Sequence, residues 1–265
     1  MLPVEHSISC TVIVGFQCIW PFITKSKLYF LLNDTYCYLQ LILFVFNVLS
    51  NFSISAEIET LNIEQSNRDF AFLEPERIIE HALRYAKAPV TTTNFGPYEA
   101  VILHMVTQIK PDMKVVWIDS GYNTPHTYKV AQQLMDKLSL NIEVYTPKVS
   151  AARCDASMGG IPSVDDPRHA EFTEQFKLEP FSRAMREQAP DVWFTAVRSE
   201  QTEFRKEMEV FGEGPNGMLK VAPLLHWTEA DMQAYLDRFD LPNVERYFDP
   251  TKALANRECG LHTKL

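Results

Sequence analysis

The chain has 265 residues, 46% of them hydrophobic and 22% charged, with a formal net charge of −9 at pH 7. That length holds one large domain or two small ones, and the composition suits a packed core and excludes general disorder. The acidic balance excludes a nucleic-acid surface built on bulk positive charge, so any anionic ligand must be held by a local cluster of Arg and Lys. The cysteines fall at 10, 18, 37, 154 and 259, with no CxxC, no adjacent pair and no Cys/His spacing of the zinc type. Neither a structural metal nor an iron–sulfur cluster is expected from that set.

Residues 1–56 are a different material from the rest. Their only charges are Glu5, Lys25, Lys27 and Asp34, which cancel, so the whole −9 belongs to residues 57–265. The segment reads as an apolar extension translated from upstream of the true start, or as a membrane anchor of two short spans around a basic loop. No Met stands between Met1 and Met105, so a start near residue 57 would need a non-Met codon. A signal peptide fits poorly, because the basic residues follow the first apolar run. The fold is expected in residues 57–265, which read as one domain.

The lead-in from Ser55 is polar. Pro75 then opens a helix whose apolar face is Ile78, Ile79, Ala82, Leu83 and Ala86. A short strand from Val90 runs into the turn Thr91-Thr92-Thr93-Asn94-Phe95-Gly96-Pro97, followed by a helix with Ala100, Val101, His104, Met105 and Ile109 on one side. Lys114 to Asp119 is a continuous apolar run of the buried-strand type. Thr124 and Pro125 read as the N-cap and first residue of the next helix, and Asn141 to Tyr145 as the next strand. Residues 147–175 read as an irregular surface connection. Glu179 to Gln188 is a predicted helix, and Asp191 to Val197 and Leu219 to Pro223 are predicted strands. Thr228 and Asp231 form a capping box for a helix to about Phe239. Alternating strands and helices at these spacings predict an α/β fold, a parallel sheet with helices on both faces. Ligands of such sheets sit at the carboxyl ends of the strands.

Three features fall at those ends. The Thr-rich turn offers hydroxyls, Asn94 and backbone N–H groups at a helix start, which suits a phosphate or, equally, a simple cap. Asp119 ends a buried strand and is placed either to accept from a ligand's hydroxyls or to cap the next helix. Arg198, with Arg205 and Lys206 close behind, reads as an anion clamp or as a solvated charged loop. Cys259 stands near the carboxyl end in Glu258-Cys259-Gly260-Leu261-His262. A lone thiol on such a tail reads as a stray surface cysteine or as one placed to meet first a substrate and then a second protein.

At this order and spacing, residues 76–265 resemble the phosphoadenylyl-sulfate (PAPS) reductases. The matching stretches are Thr92-Thr93-Asn94-Phe95-Gly96, Val116 to Tyr122 with Thr127-Tyr128, Asp136-Lys137-Leu138 with Val144-Tyr145, and Lys177-Leu178-Glu179-Pro180. Arg198 with Glu200-Gln201, Lys220 to Leu224 with Trp227, and the terminal Glu258 to His262 complete the set. The resemblance implies an adenine-nucleotide α-hydrolase-like α/β fold with a flexible catalytic tail. It also implies a cytoplasmic oxidoreductase of sulfate assimilation and cysteine biosynthesis, in which the Cys259 thiolate attacks the sulfur of PAPS. Adenosine 3′,5′-bisphosphate leaves, and thioredoxin or glutaredoxin frees sulfite from the S-sulfocysteine.

The implied site is Cys259 and His262 for catalysis. Thr92, Thr93, Asn94, Gly96, Asp119, Gly121, Tyr122, Lys177, Arg198, Gln201 and Arg205 are implied for substrate. A homodimer is implied as well, with no nucleic-acid partner. The related adenylyl-sulfate reductases carry an adjacent Cys pair before the Lys-x-Glu-Pro segment and a later CxxC for a [4Fe–4S] cluster. Here Glu174-Gln175-Phe176 precedes Lys177, which favours the cluster-free, PAPS-using branch with no bound cofactor. Two departures stand out. Residues 228–258, between Trp227 and Cys259, are fewer than the family usually carries there and lack its Gly-Tyr and Ser-Ile-Gly-like turn, and Thr-Thr-Asn stands where serines are usual. Two other readings stay open. One is a nucleotide-binding sensor or accessory protein without turnover, and the other an adenylating enzyme such as an ATP sulfurylase small subunit, which needs no thiol.

Overall fold

The computed structural model describes residues 61–251; residues 1–56, Cys259 and His262 lie outside the described residues. The chain divides into two units, Met1–Glu59 and Thr60–Leu265, and all that follows belongs to the second.

The sheet has six strands: β1 (Pro89–Thr93), β2 (Lys114–Ile118), β3 (Asn141–Tyr145), β4 (Val192–Phe194), β5 (Phe211–Glu213) and β6 (Leu219–Val221). Their order across the sheet is β3-β2-β1-β4-β6-β5. All neighbours run parallel except β5, which pairs antiparallel with β6. The helices are α1 (Ile63–Phe70), α2 (Pro75–Leu83), α3 (Glu99–Ile109), α4 (Pro125–Leu138), α5 (Ala151–Met158), α6 (His169–Thr173), α7 (Glu179–Gln188), α8 (Glu203–Lys206) and α9 (Glu229–Phe239). Among the described residues no helix is long and apolar enough to cross a membrane.

Period-two alternation splits the core. Val115 and Trp117 on β2 join Phe194, Val221 and the apolar stripes of α3, α4 and α9 on one face. Val116 and Ile118 pack with Val90, Trp193 and Phe181 of α7 on the other. Each of the fully buried large side chains, Phe194 and Trp193 among them, contributes on the order of 1.5–3 kcal/mol by leaving water. This is the α/β arrangement expected from the sequence, a mostly parallel sheet with helices packed on both faces.

Local chemistry sets the helix starts. The Thr124 hydroxyl accepts from Thr127 N at 3.1 Å with Pro125 in the first turn. Thr228 and Asp231 close a reciprocal capping box.

Three expectations need correcting. The polar lead-in contains α1, whose Asn67 side chain donates to Phe211 O at 2.8 Å and accepts from Phe211 N at 2.9 Å. It thereby fills the bonding row of β5, an edge strand not visible in the sequence pattern. Residues 147–175 are not irregular. They hold α5, capped by Ser150, and α6, which runs directly into a π-helical turn at Glu174–Leu178. The strands predicted at 191–197 and 219–223 are shorter than expected, because only Val192–Phe194 and Leu219–Val221 find partners on the ladder.

Candidate active site

The strand order reverses between β1 and β4: the chain steps outward through β2 and β3 on one side, and β4, β6 and β5 fill the other. Ligands of open α/β sheets bind at such switch points, beyond the carboxyl ends of the strands. A cleft of about 180 Å³ opens there, lined by Thr92 and Thr93 of β1 with Asn94 just beyond it, and by Trp193 of β4 with Thr195 just beyond it. Thr92 and Trp193 are locked together, since the indole N–H donates to Thr92 Oγ1 at 3.0 Å.

The turn from β1 into α3 is tightly built. Phe95 and Tyr98 both adopt positive φ, 53° and 65°. That conformation costs roughly 1–3 kcal/mol per non-glycine residue and gathers at functional sites. Burial of Phe95 edge-on against Trp117, with ring centroids 4.9 Å apart, holds the first. Tyr98 N donates to Asn243 Oδ1 at 2.9 Å, which holds the second. Within the turn, Phe95 N donates to Thr93 Oγ1 at 2.9 Å. The Thr93 hydroxyl and Asn94 N donate to the same oxygen of Glu99, at 2.6 and 2.7 Å. Gly96 lies on the cleft wall between Glu99 and Tyr247, where a Cβ would make ordinary contacts at 3.4 Å to Glu99 Oε1 and 3.8 Å to the Tyr247 ring.

Lys177 enters from the opposite wall. The π-turn at Glu174–Leu178 adds a residue to the helical turn, a device found often at functional sites, and Lys177 sits within it. Its ammonium pairs with Asp249 and both side chains are only 7% exposed. Burial works against the Asp249 charge, but the Lys177 ammonium and the hydrogen bonds from Thr251 outweigh it and hold the carboxyl below its usual range. Thr251 N and Oγ1 donate to Asp249 Oδ1 at 2.9 and 2.6 Å. The segment from Asn243 to Thr251 is thus a strap, fixed at Tyr98 and Lys177, that lays Tyr247 and Asp249 along the cleft.

Gln201 and Arg205 form the third wall. The Gln201 carbonyl accepts from Arg198 N at 3.0 Å and from the Arg205 guanidinium. Thr202 caps α8 and fixes the backbone of Arg205, itself 7% exposed. Arg198 does not line this cleft. Its guanidinium pairs with Glu200 and lies 5.6 Å from the centre of the Tyr98 ring. Burial, with a hydrogen bond to Glu229, raises the Tyr98 phenol.

The expected residues therefore divide. Thr92, Thr93, Asn94, Gly96, Lys177, Gln201 and Arg205 come together at one cleft. Asp119, Gly121 and Tyr122 lie beyond the end of β2 and do not line this cleft. Asp119 Oδ1 accepts from Gly121 N, Asn123 Nδ2 and the Tyr128 hydroxyl at 2.9, 3.0 and 2.8 Å. Burial and that carboxylate push the Tyr128 phenol up to about 12. The Tyr122 hydroxyl donates to Asp155 at 2.8 Å, and burial, helped by Asp155 and Cys154, pushes it well above the usual tyrosine range. Among the described residues no group of His, Cys, Asp and Glu is placed to hold a metal ion. Glu99, Thr195, Tyr247 and Asp249 were not anticipated. Of these, only Glu99, an acid in the first turn of a predicted helix, carried a sequence signal.

Residues 88–252 match the family model of the phosphoadenosine phosphosulfate reductase domain. The chain belongs to the PAPS reductase family. It is 35% identical over 185 residues to a phosphoadenosine 5′-phosphosulfate reductase of Synechococcus, across 68% of this chain and 78% of that protein. A second such protein, from Alkalilimnicola ehrlichii, is 32% identical over 209 residues, across 71% of this chain and 85% of the other. Among solved structures, the PAPS reductase of Candida auris, as a phosphate complex, superposes with a TM-score of 0.61. It is 24% identical and covers 69% of this chain and 90% of that one, a likeness of fold.

Proposed function

We propose that this chain reduces PAPS to sulfite, with Cys259 as nucleophile and a thioredoxin-type dithiol as reductant. The observation that carries the reading is the cleft at the β1/β4 switch point in a member of this family. It brings a hydroxyl-rich turn, Lys177 and Arg205 to one place in a chain that is acidic overall. Arg205, preset by Gln201, gives a fixed fork of donors for a phosphate, and the Thr turn at the start of α3 adds hydroxyl and backbone donors.

In the proposed reaction the Cys259 thiolate attacks the sulfonate sulfur and a Cys S–S bond forms. The bond from sulfur to the phosphate oxygen breaks, and its electron pair leaves with adenosine 3′,5′-bisphosphate. A thiolate of the dithiol then attacks Cys259 Sγ and sulfite leaves with the bonding pair. The resulting mixed disulfide is resolved by the partner's second thiol, so two electrons pass from dithiol to sulfur. Cys259 follows Thr251, the last residue of the strap, by eight residues. Extended, that tail spans up to roughly 28 Å, enough to bring the thiol to a sulfonate held in the cleft. Positive charge from Lys177, Arg205 and His262 would lower the thiol pKa and offset the sulfonate charge. The proposal includes no iron–sulfur cluster, a cytoplasmic setting and a homodimer.

The test is sulfite release by the full chain supplied with PAPS, thioredoxin, thioredoxin reductase and NADPH, with adenylyl sulfate as the competing substrate. Sulfite from PAPS that ceases when thioredoxin is omitted supports the reading. PAPS bound without any sulfite would favour the nucleotide-binding protein without turnover.

A further inference from the structure

The turn that should take an anion already holds one. Thr93 Oγ1 and Asn94 N, the hydroxyl and backbone donors that face the cleft at the start of the 11-residue α3, both point at one carboxylate oxygen of Glu99. A carboxylate there meets the donors that a phosphate or sulfonate oxygen would meet. Lys177 is treated alike, its ammonium being paired with the buried Asp249. A second observation shows that the pocket is built for something further. Thr195, at the carboxyl end of β4 and only 2% exposed, lines the same cleft, and its hydroxyl has no hydrogen-bond partner. Buried hydroxyls are nearly always paired, so this one calls for a partner, which a ligand's polar group or a water in the cleft would supply. The cleft volume of about 180 Å³ is below the roughly 300–1,000 Å³ typical of small-molecule sites.

We propose that Glu99 is a built-in competitor for the ligand's anionic group at the β1 turn, and that binding requires its carboxylate to leave Thr93 and Asn94. This deepens the proposed function and rests on its reading of the cleft as an anionic nucleotide site. The competition sets specificity. A singly charged group gains little by replacing one carboxylate with another. A dianionic phosphate brings more charge and more acceptor oxygens to the same donors, and one of them is available to the Thr195 hydroxyl. Glu99 thereby discriminates by charge against small monoanions that the turn would otherwise admit.

The experiment is isothermal titration of the full chain and of Glu99→Gln with inorganic phosphate and with adenosine 3′,5′-bisphosphate, at fixed ionic strength. The Gln variant keeps the size of the side chain and one acceptor but loses the charge. Charge-assisted hydrogen bonds are roughly twice as strong as neutral ones. Glu99→Gln should therefore bind phosphate about tenfold more tightly, and Thr195→Val should weaken phosphate binding in either background. Unchanged or weaker phosphate binding by a folded Glu99→Gln overturns the proposal. Should that variant not fold, the wild-type chain crystallised with adenosine 3′,5′-bisphosphate decides. Glu99 must then be off Asn94 N, and a Glu99 still bonded there beside the bound nucleotide refutes competition. Inorganic phosphate separates this inference from the function. If phosphate binding tightens while no form binds the nucleotide, the inference stands and the PAPS reading falls.

Discussion

The Lys177–Asp249 pair gives the strongest stability prediction. Both side chains are 7% exposed, and Asp249 is held below its ordinary value of 3.8 against the opposing effect of burial. Asp249→Leu removes the carboxylate that pairs with the Lys177 ammonium beneath the strap. Breaking a buried pair on one side costs about 3–5 kcal/mol, whereas replacing both partners by apolar groups is often neutral. For a unit of this size each kcal/mol is worth about 2–4 °C, so the single variant should melt about 6–20 °C lower.

The assay is urea unfolding of the full chain for wild type, Asp249→Leu, Lys177→Met and the double variant. Both single variants are expected to lose several kcal/mol, and the double variant to recover most of the loss. A pH series adds a second readout. The folded Asp249 titrates below its unfolded value, so the unfolded chain binds more protons in acid. The stabilisation is complete above the unfolded value near 3.8 and is lost as pH falls through the depressed folded pKa. Asp249→Leu should lack that part of the acid limb. Single variants that each cost less than about 1 kcal/mol and add without coupling would refute the claim that this pair fastens the strap.

Three further outcomes are expected at the Arg-bearing wall. Arg205→Lys keeps the charge but loses the planar fork, and should weaken adenosine 3′,5′-bisphosphate binding about 10-fold or more by calorimetry, with little change in melting temperature. Gln201→Ala removes the carbonyl that accepts from Arg198 N and Arg205. It should weaken nucleotide binding less than Arg205→Lys, because Arg205 keeps its charge but not its placement. Arg198→Ala loses the contact with the Tyr98 ring and should cost roughly 1 kcal/mol of stability. Its effect on nucleotide affinity should be smaller than that of Arg205→Lys, and the reverse ranking would place Arg198, not Arg205, on the ligand.

The fold was legible where one local rule decided an element. Thr124-Pro125 and Thr228 to Asp231 cap their helices as read, and the apolar runs at β2 and β4 are buried on both faces. It was illegible where tertiary contacts decide. The polar α1 buries only Ser66, which bonds His81 at 3.0 Å, and its Asn67 reaches the edge of β5 from 144 residues away. Neither contact is local in the sequence.

The site divides on the same ground. The turn residues and Arg205 were visible as chemistry at strand ends. Asp249 is an ordinary surface acid in the sequence and Glu99 signals no more than a helix start; both become part of the cleft because the α3 start and the strap fold onto it. Asp119 shows the converse, a strand-end carboxylate whose Oδ1 accepts from its own loop and from Tyr128.

The central claim is that a sulfonate bound at the β1/β4 cleft is passed to Cys259. The most direct measurement is peptide mass spectrometry of the full chain after incubation with PAPS in the absence of any reductant. The account predicts an S-sulfonate on Cys259 that disappears, with release of sulfite, when reduced thioredoxin is added, and no adduct in Cys259→Ser. Adenosine 3′,5′-bisphosphate released with no modified Cys259, or an adduct carried instead by Cys154, would contradict it.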